Sequence, residues 1–239
     1  MVRPQQDGAR WRERVVPEPK ENPVTLPRTA SRADWLEARK SLLVKEKELT
    51  RARDALSAER RRLPVVEVSP DYAFQGPAGS VRLVDLFDGR RQLILYHFMG
   101  AIPGYGWCPV CSFWIDNVGH PAHFHARDTT FVVDCPEPWS DVEAFVARMG
   151  WTVPFVSSHG TSFYEDFHVE LGGAPGEVDA PGVSVFLREG DAVFHSYSTY
   201  RRGSDHLNGT YAYLDLTPLG RQEDHLEDKM DWMRLHDEY

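Results

Sequence analysis

From residue 31 to residue 63 an apolar side chain recurs at every seventh position: Trp35, Leu42, Leu49, Leu56 and Leu63. No Gly or Pro interrupts the stretch. Ser31 with Asp34 three residues on has the form of a capping box, and Pro64 supplies a stop, so the pattern predicts one long amphipathic helix over 31–63. Such a helix would be about 50 Å long, more than one small domain needs. The companion positions Ala38 and Ala52 are small, while Lys45 and Glu59 are charged, so the seam departs from a regular coiled coil. Packing across its own domain is one use for such a stripe; pairing in a homodimer through residues 31–63 is the other. The run Arg60-Arg61-Arg62 reads as a solvated helix end that suits the helix dipole.

Beyond Pro64 the period changes. Val65–Val68 and Tyr72–Phe74 read as short strands, and Val81–Phe87 leads into an Asp88-Gly89 turn. Gln92–Met99 is nearly all apolar, as a central strand covered on both faces should be. A loop over Gly100–Gly106 comes next, then a helix from Cys108 to about Val118. Asp128–Asp134 is a second β-branched central strand, and Ser140–Met149 is a helix with Ser140 as N-cap and Gly150 just past its end. Val153–Ser157 is a further short strand. Val183–Leu187 and Ala192–Tyr197 form an antiparallel hairpin, and Leu207–Leu216 followed by an acidic helix over Arg221–Leu235 closes the chain. Strand–helix–strand followed by a hairpin predicts a mixed sheet with helices on both faces.

The proline-rich first 30 residues read as a flexible arm, which leaves four parts: the arm over 1–30, the helix over 31–63, an α/β domain over 64–220 and an acidic helix or tail over 221–239. Composition is that of a globular chain, with 41% hydrophobic and 26% charged residues over 239 positions. With 27 Lys+Arg against 36 Asp+Glu the net charge is −9, which argues against a nucleic-acid partner. No window approaches the roughly 18 apolar residues of a membrane span, and Met1–Arg14 lacks the apolar core of a secretory signal, so a cytoplasmic protein is expected.

The chemistry concentrates in Tyr105-Gly106-Trp107-Cys108-Pro109-Val110-Cys111, a C-x-x-C at the junction of a buried strand and a helix. Cys108 falls at the N-cap, with Pro109 in the first turn where its missing N–H costs nothing. Free N–H groups there favour thiolate over thiol, and cysteines in this setting have pKa values lowered to roughly 3.5–7.5. Cys111, within the first turn, is placed to resolve a mixed disulfide formed at Cys108. The competing chemistry is zinc held by the two thiolates and two of His120, His123 and His125, although no second C-x-x-C exists. An idle pair is the third reading, and no cofactor is called for. Pro181, after Ala180, stands at the first position of a strand, where a cis bond would expose unpaired backbone groups for an added substrate strand. Cys135 reads as a packing residue. The Gly100–Gly106 loop and the aromatic Phe155–Phe167 insertion are expected to shape a groove.

Together, Trp107-Cys108-x-x-Cys111 opening a helix after a buried strand, and Pro181 before a hairpin, resemble the thioredoxin-like superfamily. Segment 81–99 is similar to the opening of its alkyl-hydroperoxide-reductase branch, a peroxiredoxin-like addition. The runs SRADWLEARKSLLVKEKELTRARDALSAERRRLP, CPVCSFW, ARDTTFVV, RMGWTVPFVSS and LNGTYAYLDLTPLGR resemble a bacterial family called domain of unknown function 899, over about residues 31–222. The resemblance implies a thioredoxin-like fold, with Cys108 as attacking thiolate, Cys111 as resolving thiol, and Tyr105, Trp107, Ala180 and Pro181 along the substrate groove. The implied substrate is a disulfide-bearing protein or a small thiol. A peroxide-reducing member would carry Thr three residues before its reactive Cys; Tyr105 stands there instead.

Overall fold

The computed structural model describes residues 27–102, 106–168 and 181–239. Of these, the residues up to Val65 form one compact unit and those from Val66 onward a second. The first unit is essentially one helix, α1 (Arg32–Arg60). Ser31 caps it as expected: its hydroxyl accepts the Asp34 N–H at 3.1 Å and donates to the Asp34 carboxylate at 2.8 Å. The helix stops at Arg60, short of Pro64, and none of its residues is buried.

The second unit is a mixed sheet. In chain order come β1 (Val66–Val68), β2 (Ala73–Gly76), β3 (Gly79–Arg82), a 3-10 turn (Leu83–Phe87), β4 (Gln92–His97) and a small hairpin of β5 (Ala101–Ile102) and β6 (Gly106–Trp107). Then follow α2 (Pro109–Ile115), α3 (Pro121–His125), β7 (Thr129–Cys135), α4 (Trp139–Met149), β8 (Phe155–Ser157), α5 (Phe163–His168), β9 (Gly182–Glu189), β10 (Ala192–Tyr200), a 3-10 turn (Arg201–Leu207) and α6 (Gly209–Leu214). The strands lie in the order β1-β10-β9-β4-β7-β8-β2-β3. β4, β7 and β8 are parallel, and β9 runs antiparallel to β4 and to β10. This is the mixed sheet that the pattern predicts, two apolar strands side by side, joined through helices, with a hairpin added on one flank, and it has the thioredoxin-like arrangement that the resemblance implies.

Alternation along β4 and β7 divides the core. On one face Tyr96, Val133 and Cys135 join Cys108, Cys111, Phe113, Trp114 and the α4 residues Val142, Phe145 and Met149. On the other face Leu93, Leu95 and Val132 pack with Phe74, Phe87, Phe163, Phe167 and Phe186.

Two local expectations fail. Pro138, not Ser140, is the N-cap of α4; the Ser140 hydroxyl bonds the neighbouring Asp141 carboxylate, two residues too late to cap. The helix expected over Arg221–Leu235 does not form, and the segment runs as turns. The Asp228 carboxylate takes the Met230 N–H at 2.9 Å, a local bond that competes with helical pairing. What fixes the path is burial: Met233 and Leu235 enter the Cys108 core, and the Trp232 indole N–H donates to Glu223 at 2.8 Å.

Candidate functional site

Cys108 caps α2. Its backbone is extended (φ −62°, ψ 111°), Pro109 takes the first helical position, and the Cys111 N–H donates to Cys108 Sγ at 3.3 Å. The Cys108 carbonyl accepts the Ser112 N–H at 3.1 Å and the Ser112 hydroxyl at 2.9 Å, which fixes the turn. α2 has seven residues, so individual N–H donors, more than a long-helix dipole, act on the sulfur. Cys111 lies deeper, where its Sγ accepts the Met99 N–H at 3.3 Å beside the buried Tyr96.

The two thiols are driven in opposite directions. Burial opposes charge on Cys108, but hydrogen bonds from the Cys111 thiol and from the Cys111 and Val110 N–H groups outweigh it, and its pKa falls below that of an ordinary thiol. Burial, the hydrogen bond Cys111 gives to Cys108 and the charge on Cys108 hold the Cys111 thiol well above the usual range. The Met99 N–H and the Tyr96 hydroxyl pull Cys111 the other way. The three groups thus act in sequence: the Tyr96 hydroxyl favours charge on Cys111, and the Cys111 thiol favours charge on Cys108. All three cysteines are free thiols.

Access is the feature that the sequence pattern does not convey. Cys108 is 0% exposed, although an attacking sulfur is expected to face solvent. Its N–H is bonded to the Gly100 carbonyl, and Ile102 and Trp107 of the β5–β6 hairpin pack against its cluster. Trp107 also stacks on Phe145 with centroids 4.2 Å apart. Glu137 holds the hairpin base, accepting the Ala101 N–H at 2.9 Å. Gly100 sits at φ +78°, and a side chain there would meet the Glu137 carboxylate at 2.7 Å.

Of the other expected groove residues, Tyr105 and Ala180 lie outside the described residues, and so does the Ala180–Pro181 bond. No cis peptide bond occurs among the described residues. Pro181 precedes Gly182, which pairs with His97 at the end of β4, so it stands at the sheet end from which the chain leaves for Cys108. Its carbonyl accepts the Arg201 N–H at 2.9 Å, so this chain already uses the group expected to receive a substrate strand. Phe163 and Phe167 of the expected groove insertion belong to the opposite face. Cys135 is buried, and burial, the first cause, holds its thiol well above the ordinary range. His120, His123 and His125 lie on and beside the short α3, none of them buried. Among the described residues no three His, Cys, Asp or Glu side chains gather to hold a metal ion, so the zinc alternative finds no ligand set there.

Sequence reasoning missed Tyr96 and His97. Both sit inside an apolar run, and the available signal was that a buried phenol or imidazole needs a partner. His97 Nε2 lies 2.7 Å from Ser184 Oγ, Ser184 Oγ 2.7 Å from Ser198 Oγ, and Ser198 Oγ 2.7 Å from His195 Nε2. This row runs across β4, β9 and β10 on the face away from the cysteines, and Asp134 Oδ2 stands 3.8 Å from His97 Nδ1 at its inner end.

Comparison by sequence finds a family match spanning residues 24–239. The chain belongs to DUF899, a family of bacterial proteins of unknown function. The match takes in both units of this DUF899 chain and extends past the motifs that carried the resemblance. No curated protein matches it. Among solved structures it is similar to a provisionally assigned protein disulfide isomerase from Bacteroides thetaiotaomicron (20% identity, TM-score 0.42, 62% of this chain and 88% of that one). It is also similar to the Xanthomonas campestris bacterioferritin comigratory protein, described for alkyl peroxide reduction (12%, 0.43, 63% and 94%). A third is a secreted Mycobacterium tuberculosis disulfide oxidoreductase (16%, 0.37, 60% and 96%). At these values no activity or substrate carries over to the DUF899 chain. No helix among the described residues is long and apolar enough to cross a membrane.

Proposed function

We propose that this DUF899 protein is a thiol–disulfide oxidoreductase that works through Cys108 and Cys111 on a protein disulfide or small-molecule disulfide. The observation that carries the reading is the placement of the pair: Cys108 caps α2, its Sγ accepting the Cys111 N–H at 3.3 Å, and Cys111 follows in the first turn, its Sγ accepting the Met99 N–H at 3.3 Å. The Cys108 thiolate attacks one sulfur of the substrate, forms a mixed disulfide and expels the other sulfur as a thiolate. Cys111 then gives up its proton to solvent, attacks Cys108 Sγ and releases the second substrate thiolate. The substrate gains two electrons, the protein is left with a Cys108–Cys111 disulfide, and an external dithiol returns it to the reduced state. Because Cys108 is buried at rest, the first step requires a local opening that exposes its sulfur. The odd, low cysteine count is unlike a secreted disulfide framework and supports work in a reducing compartment, the cytoplasm.

The test equilibrates the full chain with glutathione buffers of graded potential, traps free thiols by alkylation and maps them by mass. The expected result is one reversible two-electron transition joining the Cys108 and Cys111 peptides, with Cys111→Ser accumulating a mixed disulfide at Cys108. If both thiols stay unmodified until the protein unfolds globally, the reading is wrong.

A further inference from the structure

α1 is 29 residues long and buries none of them, whereas isolated helices are marginal in water without a packed face. Its stripe stays open to solvent: Trp35 is 49% exposed, Leu42 51%, Leu49 53% and Leu56 47%. We propose that α1 pairs with α1 of a second copy of this chain, antiparallel, with its twofold axis beside residue 47.

The argument is complementarity of size and charge. The stripe Trp35, Leu42, Leu49, Leu56 and the flanking line Ala38, Lys45, Ala52, Glu59 form the two sides of one seam. A parallel pair would set each residue against its own copy, placing Lys45 on Lys45, Glu59 on Glu59, and Ala38 on Ala38 across a gap. An antiparallel pair sets one line against the other. The alignment with the longest overlap packs Leu42 on Ala52, Leu56 on Ala38, Leu49 on the Lys45 stem, and Trp35 on the Glu59 stem. Every layer then joins a large side chain to a small or flexible one. Lys45 comes within reach of Glu48 of the second copy, and Glu59 within reach of Arg32, whose guanidinium lies 4.8 Å above the Trp35 ring in its own chain. The charges that break the seam of a parallel pair become its cross-links. The contact would run about 40 Å, close to the full length of the helix.

The test is solution mass by light scattering on the full chain, together with two variants. The wild type is expected at twice the 27.3 kDa chain mass at micromolar concentration. Leu42→Glu with Leu49→Glu should give a monomer with unchanged thiol chemistry at Cys108. Lys45→Glu should weaken the dimer several-fold, and adding Glu48→Lys should restore it, a rescue that helix misfolding would not show. Zero-length amine–carboxyl cross-linking of mixed light and heavy chains should join Lys45 of one copy to Glu48 of the other. A monomeric wild type, a dimer that survives the double Glu variant, or the absence of charge-reversal rescue would overturn the proposal. The thiol readout is independent of mass, so its failure leaves the dimer standing and the reverse.

Discussion

The two faces of the central sheet bury polar groups at the same place, the ends of β4 and β7, and treat them differently. On one face Tyr96, Cys111 and Cys108 act on one another in sequence, and each of the two sulfurs accepts a backbone N–H, Cys111 from Met99 and Cys108 from Cys111. On the other, His97, Ser184, Ser198 and His195 are linked at 2.7 Å steps, but both carboxylate oxygens of the fully buried Asp134 find no hydrogen-bond partner among the described residues. Burying a carboxylate without such bonds is costly, whereas a buried anion that receives several donors is tolerated. The first face is organised to favour charge on a sulfur, and the second leaves a buried acid short of hydrogen bonds at a cost to stability.

The largest expected effect separates the faces by chemistry. Cys108→Ser should abolish reversible disulfide formation in the glutathione titration, while Ser184→Ala, one strand away on the opposite face, should leave it within about twofold, since a change under about 0.4 kcal/mol is all that this allows. If Ser184→Ala also abolishes the transition, the faces are one functional unit and the distinction fails.

The next effects are on stability and of opposite sign. His97→Leu leaves Ser184 short of a partner and the Asp134 carboxylate without its neighbouring imidazole, and should destabilise the reduced protein by about 3 kcal/mol. Asp134→Leu removes the orphaned carboxylate and should stabilise it by about 1–2 kcal/mol. Urea unfolding at neutral pH reads both. Equal losses in the two variants would show that Asp134 is well partnered.

Smaller still is the pH response of the reduced protein. Cys108 is lowered from an ordinary value of 9.0, so between its folded value and about pH 9 the unfolded chain binds the extra proton. Stability therefore rises with pH across that window and falls away as pH drops through the Cys108 value. Cys111 and Cys135 are raised, so their contribution is present below pH 9 and is lost above it, as the unfolded chain ionises and the folded one does not. Stability of the reduced form should pass through a maximum near pH 9, and Cys108→Ser should remove the rising limb while only softening the falling one, because the Cys108 charge is one of the causes that hold Cys111 up. A profile in which that variant removes the falling limb instead would reverse the assignment of the two thiols.

Much of the cysteine face was legible in advance, because its signals are local: an apolar run gives β4, and Cys-Pro-x-Cys fixes the cap of α2. The opposite face was not. Ser198 and His195 come together only because the β9–β10 register shifts between His195 and Tyr197, breaking the alternation that would send residues three apart to opposite faces. The hairpin itself was foreseen; a bulge within it has no sequence mark here. The acidic composition of the last 19 residues likewise concealed Met233 and Leu235, which bury themselves without any helical period.

Tyr96 sets the finest test, because it can be changed by a single oxygen atom. Its hydroxyl favours the anion of Cys111, which is needed only in the second half of the proposed exchange, after Cys108 is tied up in the mixed disulfide. A hydrogen bond of this kind is worth about 1 kcal/mol, so Tyr96→Phe should slow resolution about fivefold. The same variant should leave the first attack nearly unchanged, since the donors that hold the Cys108 anion come from Cys111 and Val110. Single-turnover trapping with a disulfide reagent, followed by mass, measures the two steps separately. Equal slowing of both steps would mean that the phenol only packs the core, as Phe186 does on the other face. Slowing of the second alone would show that the polar groups of this face act in sequence on two sulfurs.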